Sequence, residues 1–132
     1  MNSYRLQIVT PDGCAFDGNA EGLNMRTSEG YVSILAGHAD YIAALDIGEV
    51  TLTAGGTERR AACGGGFVSV TGGEVRMVTT TFEYSDDIDV DRASAAKEKA
   101  QKKIDAAKDA RELEMAKAKL MRALTRLQVA GK

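Results

Sequence analysis

The hydrophobic pattern of this chain changes period once. In "YRLQIV" (4–9), Tyr4, Leu6 and Ile8 alternate with Arg5 and Gln7, the period-two signature of a half-buried strand. "PDG" (11–13) then turns the chain, because proline presets φ and glycine supplies positive φ. "GLNMRT" (22–27) and "YVSIL" (31–35) read as strands around the turn "SEG" (28–30). "GEVTLTA" (48–54) and "TERRAAC" (57–63) flank "GG" (55–56), a two-residue hairpin signal. "FVSV" (67–70), "GG" (72–73) and "EVRMVTT" (74–80) repeat that arrangement. Strands recurring every 8–12 residues or so, with turn residues between them, predict a sandwich or flattened barrel.

From "SDDIDVD" (85–91) onward the period becomes three and four. Acidic residues open this segment, where they suit an N-cap and the positive end of a helix dipole. Ala93, Ala96, Ala100, Ile104 and Ala107 form one stripe, and Leu113, Ala116, Leu120, Leu124 and Leu127 a second. A break in "DAAKDA" (105–110), where Asp105 and Asp109 are turn and cap formers, lets the two stripes zip as an antiparallel hairpin. The expected fold is mainly β plus α, with a β-sandwich over 1–84 and a two-helix hairpin over 85–132. The first stripe is nearly all alanine and buries little area, and about 40 residues rarely fold alone. The hairpin is therefore expected to depend on docking, and to stay helical while changing its packing.

Composition narrows the function. Charged residues make up 27% and the net charge is −2, which gives no footprint for nucleic acid. Tryptophan is absent and aromatics are 5%, too few for a base-stacking platform. The chain enters a strand-like run at once, so no targeting segment is expected, and its apolar runs are too short to span a bilayer. Cys14 and Cys63 are too far apart for a CxxC pair or a zinc site and are expected to be two buried free thiols. His38, the single histidine, has no identifiable partner and reads as a loop residue. "CGGGF" (63–67) is glycine-rich, but no Gly-Lys-Ser/Thr follows it and no helix starts there, so a phosphate loop is excluded. No nucleophile–base arrangement or metal-ligand spacing emerges.

Charge placement in the hairpin carries more. With a turn near 107–108, Arg92 falls level with about Ala123, and Asp89 with about Arg126. Arg122 and Arg126 are i, i+4 neighbours. Arg92, Arg122 and Arg126 then converge at the hairpin's open end, with Asp89 and Glu83 close by. Two readings follow. One is a set of partly exposed salt bridges. The other is an anion site, with guanidinium forks for phosphate oxygens and an acid for a ribose or amino group.

"RLQIVTPDG", "FDG", "TSEGYVSILAGHADYIAAL", "GGGFVSV" and "IDVDRA" occur in an order that resembles the epsilon subunit of bacterial F-type ATP synthases, over nearly the whole chain. Ile88, Asp89, Val90, Asp91, Arg92 and Ala93 match that family's Ile-Asp-x-x-Arg-Ala motif. The resemblance implies a β-sandwich followed by a helical hairpin. It implies a non-catalytic rotor subunit of the central stalk, coupling proton flow to ATP synthesis and restraining ATP hydrolysis through a movable hairpin. The implied partners are the gamma subunit, the c-subunit ring and, when the hairpin extends, the catalytic head subunits. The implied place is peripheral, on the cytoplasmic side of a bacterial plasma membrane, with no direct membrane insertion and no nucleic acid.

By the same resemblance, ATP is a regulatory ligand rather than a cofactor, with the part of magnesium left open. Arg92, Arg122 and Arg126 would hold its phosphates, Asp89 and Glu83 its sugar and base, with Ala93 in the motif and Lys99 assisting. Glu29, Gly30, Tyr31, Gly37 and His38 are the implied ring and gamma contacts. Two positions depart from the family pattern: Ser33 stands where glycine is common and Asp40 where proline is common. The loop around His38 is therefore expected to be less rigid. Two other classes are weighed against this reading. A free-standing nucleotide-sensing or adaptor module would lack a gamma-like partner. A small carboxylate hydrolase would turn over alone, and no motif favours it.

Overall fold

The structure is a computed structural model that describes residues 2–131. Eight strands form one open sheet: β1 (Tyr4–Thr10), β2 (Gly13–Ala20), β3 (Gly22–Thr27), β4 (Gly30–Leu35), β5 (Tyr41–Ala54), β6 (Thr57–Thr71), β7 (Glu74–Thr79) and β8 (Phe82–Tyr84). The order is β2-β1-β7-β6-β5-β3-β4, with β8 also paired to β6. All neighbours are antiparallel except β1 and β7, which run parallel. A 3-10 turn (Ser85–Asp87) leads to helices α1 (Val90–Ala106) and α2 (Ala110–Ala130).

The sheet folds over on itself around Leu6, Ile8, Leu23, Met25, Ile34, Val68, Val70 and Met77, which pack into one buried cluster. The Tyr4 hydroxyl donates to the Ile34 carbonyl at 2.8 Å, joining strands that are not neighbours in the sheet. Burial around that hydroxyl pushes its pKa up to about 12. Both double-glycine turns behave as their sequence predicts. Gly55 and Gly56 have φ of 60° and 77°, and Gly72 and Gly73 have 59° and 83°, as a type I′ hairpin requires.

The structure differs from the sequence reading at four strands. β2 had no clear alternation because it is a glycine-containing edge strand whose residues are mostly exposed or half-buried. β5 begins at Tyr41, seven residues before "GEVTLTA". The segments 57–63 and 67–70 are one continuous strand, β6. β8 has three residues, too few to show a period. The triple glycine inside β6 marks the place where its partner changes. Ala61–Cys63 pair with β8, and Gly66–Thr71 pair with β7. A Cβ on Gly66 would lie 1.9 Å from the Val78 carbonyl oxygen, and φ there is 151°. That contact requires glycine at 66, whereas a Cβ on Gly64 would lie 2.3 Å from the Thr81 hydroxyl and Gly65 has a φ of 98°.

The two thiols differ. Cys63 is buried, as expected, and burial raises its pKa. Cys14 is exposed, against expectation, because its neighbour β1 leaves one side of edge strand β2 open. A thiol reagent added to the folded protein is expected to modify Cys14 quickly. Cys63 should react only after denaturant is added, and two equally fast equivalents in native buffer would contradict this placement.

The loop before β5 is tied down rather than loose. The Asp40 carboxylate accepts from the Gly72 amide at 3.0 Å, linking the loop to the β6–β7 turn, so the expected loss of rigidity is offset. Ser33 donates to the Asn24 side-chain oxygen at 2.5 Å, and the two residues are cross-strand partners.

The helices form where their caps place them. The Asp89 side chain accepts from the Arg92 amide at 3.0 Å, and Asp109 accepts from the Glu112 amide at 2.8 Å. The helices pack antiparallel, and α2 lies on β5 and β6. Val129 is buried against Ala62 and Ile88. Arg60, held by Glu49 through two 2.5 Å bonds, donates to the Val129 carbonyl at 3.3 Å. The hairpin is thus folded down on the sheet. Its second stripe differs from the sequence reading: Leu124 is 38% exposed, whereas Ala123, Thr125 and Val129 are buried. The helix turns its smaller residues inward because it must approach both α1 and the sheet.

Candidate functional site

The hairpin's open end and the sheet enclose a cleft of about 660 Å³. That lies within the usual range for a small-molecule site, roughly 300–1,000 Å³. Several parts of the chain wall it. The β1–β2 turn supplies Asp12, Gly13 and Cys14, β8 supplies Phe82 and Glu83, and the start of α1 supplies Asp89, Arg92, Ala93 and Ala96. Arg126 reaches in from α2. Asp12 is set by the turn itself, whose Thr10 hydroxyl accepts from the Asp12 amide at 3.1 Å.

Five of the seven sequence-derived nucleotide residues meet here: Glu83, Asp89, Arg92, Ala93 and Arg126. Arg122 and Lys99 line an adjoining groove of about 180 Å³ between the helices, which shares Ala96 and Arg126 with the cleft. The arginines therefore do not converge on one point. They follow one another from the cleft into the groove. One partly exposed salt bridge of the kind the sequence suggested is present. Arg126 pairs with Glu83, its guanidinium donating to the carboxylate. Asp89 is used as the α1 N-cap, and among the described residues it makes no ion pair with an arginine. Arg92 is exposed and likewise without an acidic partner among the described residues. The cleft thus offers one free guanidinium, one that is held in place, and carboxylates on the opposite walls.

Sequence reasoning missed Asp12, Cys14, Phe82 and Asp87, all of which line the cleft. "PDG" was legible as a turn, but nothing in it shows that the turn faces the helices. Among the described residues, no group of three His, Cys, Asp or Glu side chains gathers as a metal site.

The other candidate residues do not form one patch. Glu29, Gly30 and Tyr31 lie at the start of β4, whereas Gly37 and His38 follow its end. A six-residue strand separates them by about 20 Å. His38 makes local contacts: its Nδ1 is 2.7 Å from the Ala39 carbonyl oxygen, and its ring meets Tyr41 edge-on. Tyr31 is 71% exposed.

Comparison with known proteins covers both parts of this arrangement. The family model for the ATP synthase Delta/Epsilon chain beta-sandwich domain matches residues 3–85. The model for the long alpha-helix domain of the same chain matches residues 86–131. The chain belongs to the ATP synthase delta/epsilon family. Within it, the chain is 38% identical to the ATP synthase epsilon chain of Ruminococcus albus, covering 100% of this chain and 99% of that one. It is 40% identical to the epsilon chain of Bacillus pumilus and 38% identical to that of Bacillus subtilis, each over 100% of both chains. Solved structures agree in shape. A chain of the Euglena gracilis mitochondrial ATP synthase OSCP/F1/c-ring assembly matches with a TM-score of 0.79 at 24% identity, covering 96% of this chain and 80% of that one. A chain of the Tetrahymena thermophila mitochondrial ATP synthase central stalk/c-ring matches with a TM-score of 0.65 at 13% identity, covering 96% and 95%. No helix among the described residues is long and apolar enough to cross a membrane.

Proposed function

We propose that this epsilon-type chain is a non-catalytic subunit of the ATP synthase central stalk, and that its hairpin is a nucleotide-responsive brake on ATP hydrolysis. Its place in a bacterial membrane-bound synthase, on gamma and the c-ring, is supported by the full-length likeness to epsilon chains and by the stalk and c-ring assemblies in which its fold recurs. The sheet also exposes Tyr31, Leu35, Ile42 and Phe67, large apolar side chains that suit burial by partner subunits. The catalytic head is the partner of the extended hairpin, whose exposed Met115, Met121 and Leu124 provide apolar contact there.

The observation that carries the nucleotide reading is the cleft itself. It opens between the sheet and the folded-down hairpin, so a ligand that fills it touches both. Arg92 and Arg126 would hold phosphate oxygens, with Arg122 and Lys99 next along the groove. Glu83 and the acidic walls would accept from sugar hydroxyls or an exocyclic amine, and Phe82 offers an aromatic edge to a base. A ligand that binds only the closed hairpin stabilises it in proportion to occupancy. ATP would then be a regulator and not a substrate.

An ATP titration followed by amide NMR tests this. Saturable shifts are expected together at residues 83–93 and 119–128. The absence of shifts at several millimolar ATP would reduce Arg92 and Arg126 to contacts made within the assembled enzyme, and leave the stalk assignment in place.

A further inference from the structure

The lysines of the hairpin do not share one environment. On an α-helix, a side chain's neighbours are the residues three and four positions away. For Lys102 these include Glu98 and Asp105, and for Lys117 they include Glu114. For Lys103 they are Lys99, Ala100, Ala106 and Ala107, and for Lys119 they are Met115, Ala116, Arg122 and Ala123. Neither of these two lysines has an acid at helical spacing. Asp105 is two residues from Lys103, a spacing that does not share a helix face, and its carboxylate accepts from the Gln101 side-chain amide at 3.5 Å. Lys103 on α1 instead meets Lys119 on α2 across the seam, and no carboxylate lines the space around them. Among the described residues, neither lysine makes an ion pair.

That contact has a chemical consequence. An ammonium group carries three donors and no acceptor. Two lysine side chains within hydrogen-bond reach can share a bond only when one of them has given up its proton. The proximity of Lys119 accordingly lowers the pKa of Lys103. A lysine beside another cation is an activated amine, because the unprotonated form is the nucleophile. Lys103 is also exposed, so a reagent can reach it. The charges nearest to it, Lys99, Lys119 and Arg122, are all positive, which favours approach by an anionic reagent over a neutral one.

We propose that Lys103 is a site of covalent acylation by small acyl phosphates, singled out among the lysines of the hairpin by its contact with Lys119. The unprotonated Nζ attacks the acyl carbon. The C–N bond of an amide forms as the C–O bond to phosphate breaks, phosphate leaves with the electron pair, and the amine proton passes to water. The product is neutral, so the seam loses one of the two charges that oppose its packing. The acylation stands apart from the nucleotide reading. Only its effect on the brake, a more firmly closed hairpin, rests on that reading.

The test incubates the full chain with acetyl phosphate over a range of pH and reads the occupancy of each lysine by peptide mass spectrometry. Lys103 should be acetylated about two- to fourfold faster than Lys102 and Lys117, the scale set by exchanging opposite-charge for like-charge neighbours on an exposed helix. Its rate should also rise at lower pH than theirs. In a Lys119→Gln chain the Lys103 rate should fall to that of Lys102. In denaturant, where the two helices no longer meet, the advantage should vanish in the original chain as well. Equal rates at Lys103, Lys102 and Lys117 in the native chain overturn the proposal. An advantage that survives Lys119→Gln, or that persists in denaturant, also overturns it, because local sequence and not the contact across the seam would then be its source.

Discussion

Replacing Gly66 by alanine is expected to be the most damaging single substitution outside the apolar core. Two costs coincide there. The φ of 151° lies outside the range that a side chain readily accepts, a strain of about 1–3 kcal/mol. The added Cβ would also stand 1.9 Å from the Val78 oxygen and 2.8 Å from the Thr79 Cα, both backbone atoms that cannot rotate away. Strand β7 must then move off β6, and overpacking of this kind costs about 1–3 kcal/mol more. The sum approaches the whole stability of many small domains, about 5–15 kcal/mol. Denaturant unfolding should show a loss of several kcal/mol, or no cooperative transition. Gly13→Ala is the comparison, because φ there is 128° but no atom lies within 4 Å of the added Cβ. Its cost should be the strain alone. Equal effects at the two positions would mean that the approach of β7 to β6 is not what requires the glycine.

Truncating Arg126 to alanine is expected to have the largest effect on ligand binding. Among the described residues, Arg126 is the one cation that borders both the cleft and the interhelical groove, and it is held by Glu83 on β8. A hydrogen bond to a charged group contributes about 1.5–3 kcal/mol. ATP affinity should therefore fall by roughly ten- to a hundredfold. The thermal midpoint without ligand should change little, since the Glu83 side chain is 37% exposed and can be rehydrated once its partner is gone. Arg126→Lys should recover part of the affinity, lacking only the planar fork. Arg111→Ala, at the exposed far end of α2, should do nothing to it. An Arg126→Ala protein that bound ATP as tightly as the original would remove Arg126 from the site.

Local chemistry was the legible part of this fold. Double glycines announced two hairpins, and Asp89 and Asp109 announced two helix starts, because a turn or a cap is decided by a few neighbouring atoms. Strand β2 was hidden because an edge strand has little inward face to mark with apolar residues. The triple glycine read as a break because close approach of another strand is a property of the sheet and not of the segment. The site divides in the same way. The arginines were found from helical spacing and a motif. The wall made by Asp12, Cys14 and Phe82 comes from segments more than forty residues apart in sequence from Arg126, brought together only by the folded chain. Asp89 carried two readings in the sequence, as a cap and as a ligand, and its carboxylate is engaged as a cap.

Helix α1 packs mainly on α2, while α2 alone has an extensive footing on β5 and β6. The apolar side chains that α1 buries fully are Ala93 and Ala100. Its backbone hydrogen bonds are therefore shielded from solvent only while α2 provides a surface to lean on. In the language of hydrogen exchange, α1 has no stability of its own to report, and the two helices form one opening unit. Under the proposed brake, the rate at which the hairpin would leave the sheet is then a property of the α2 footing, of Val129 between Ala62 and Ile88 and of the Arg60 contact that holds its carbonyl. Anything that loosens those few atoms at the chain's far end frees both helices at once.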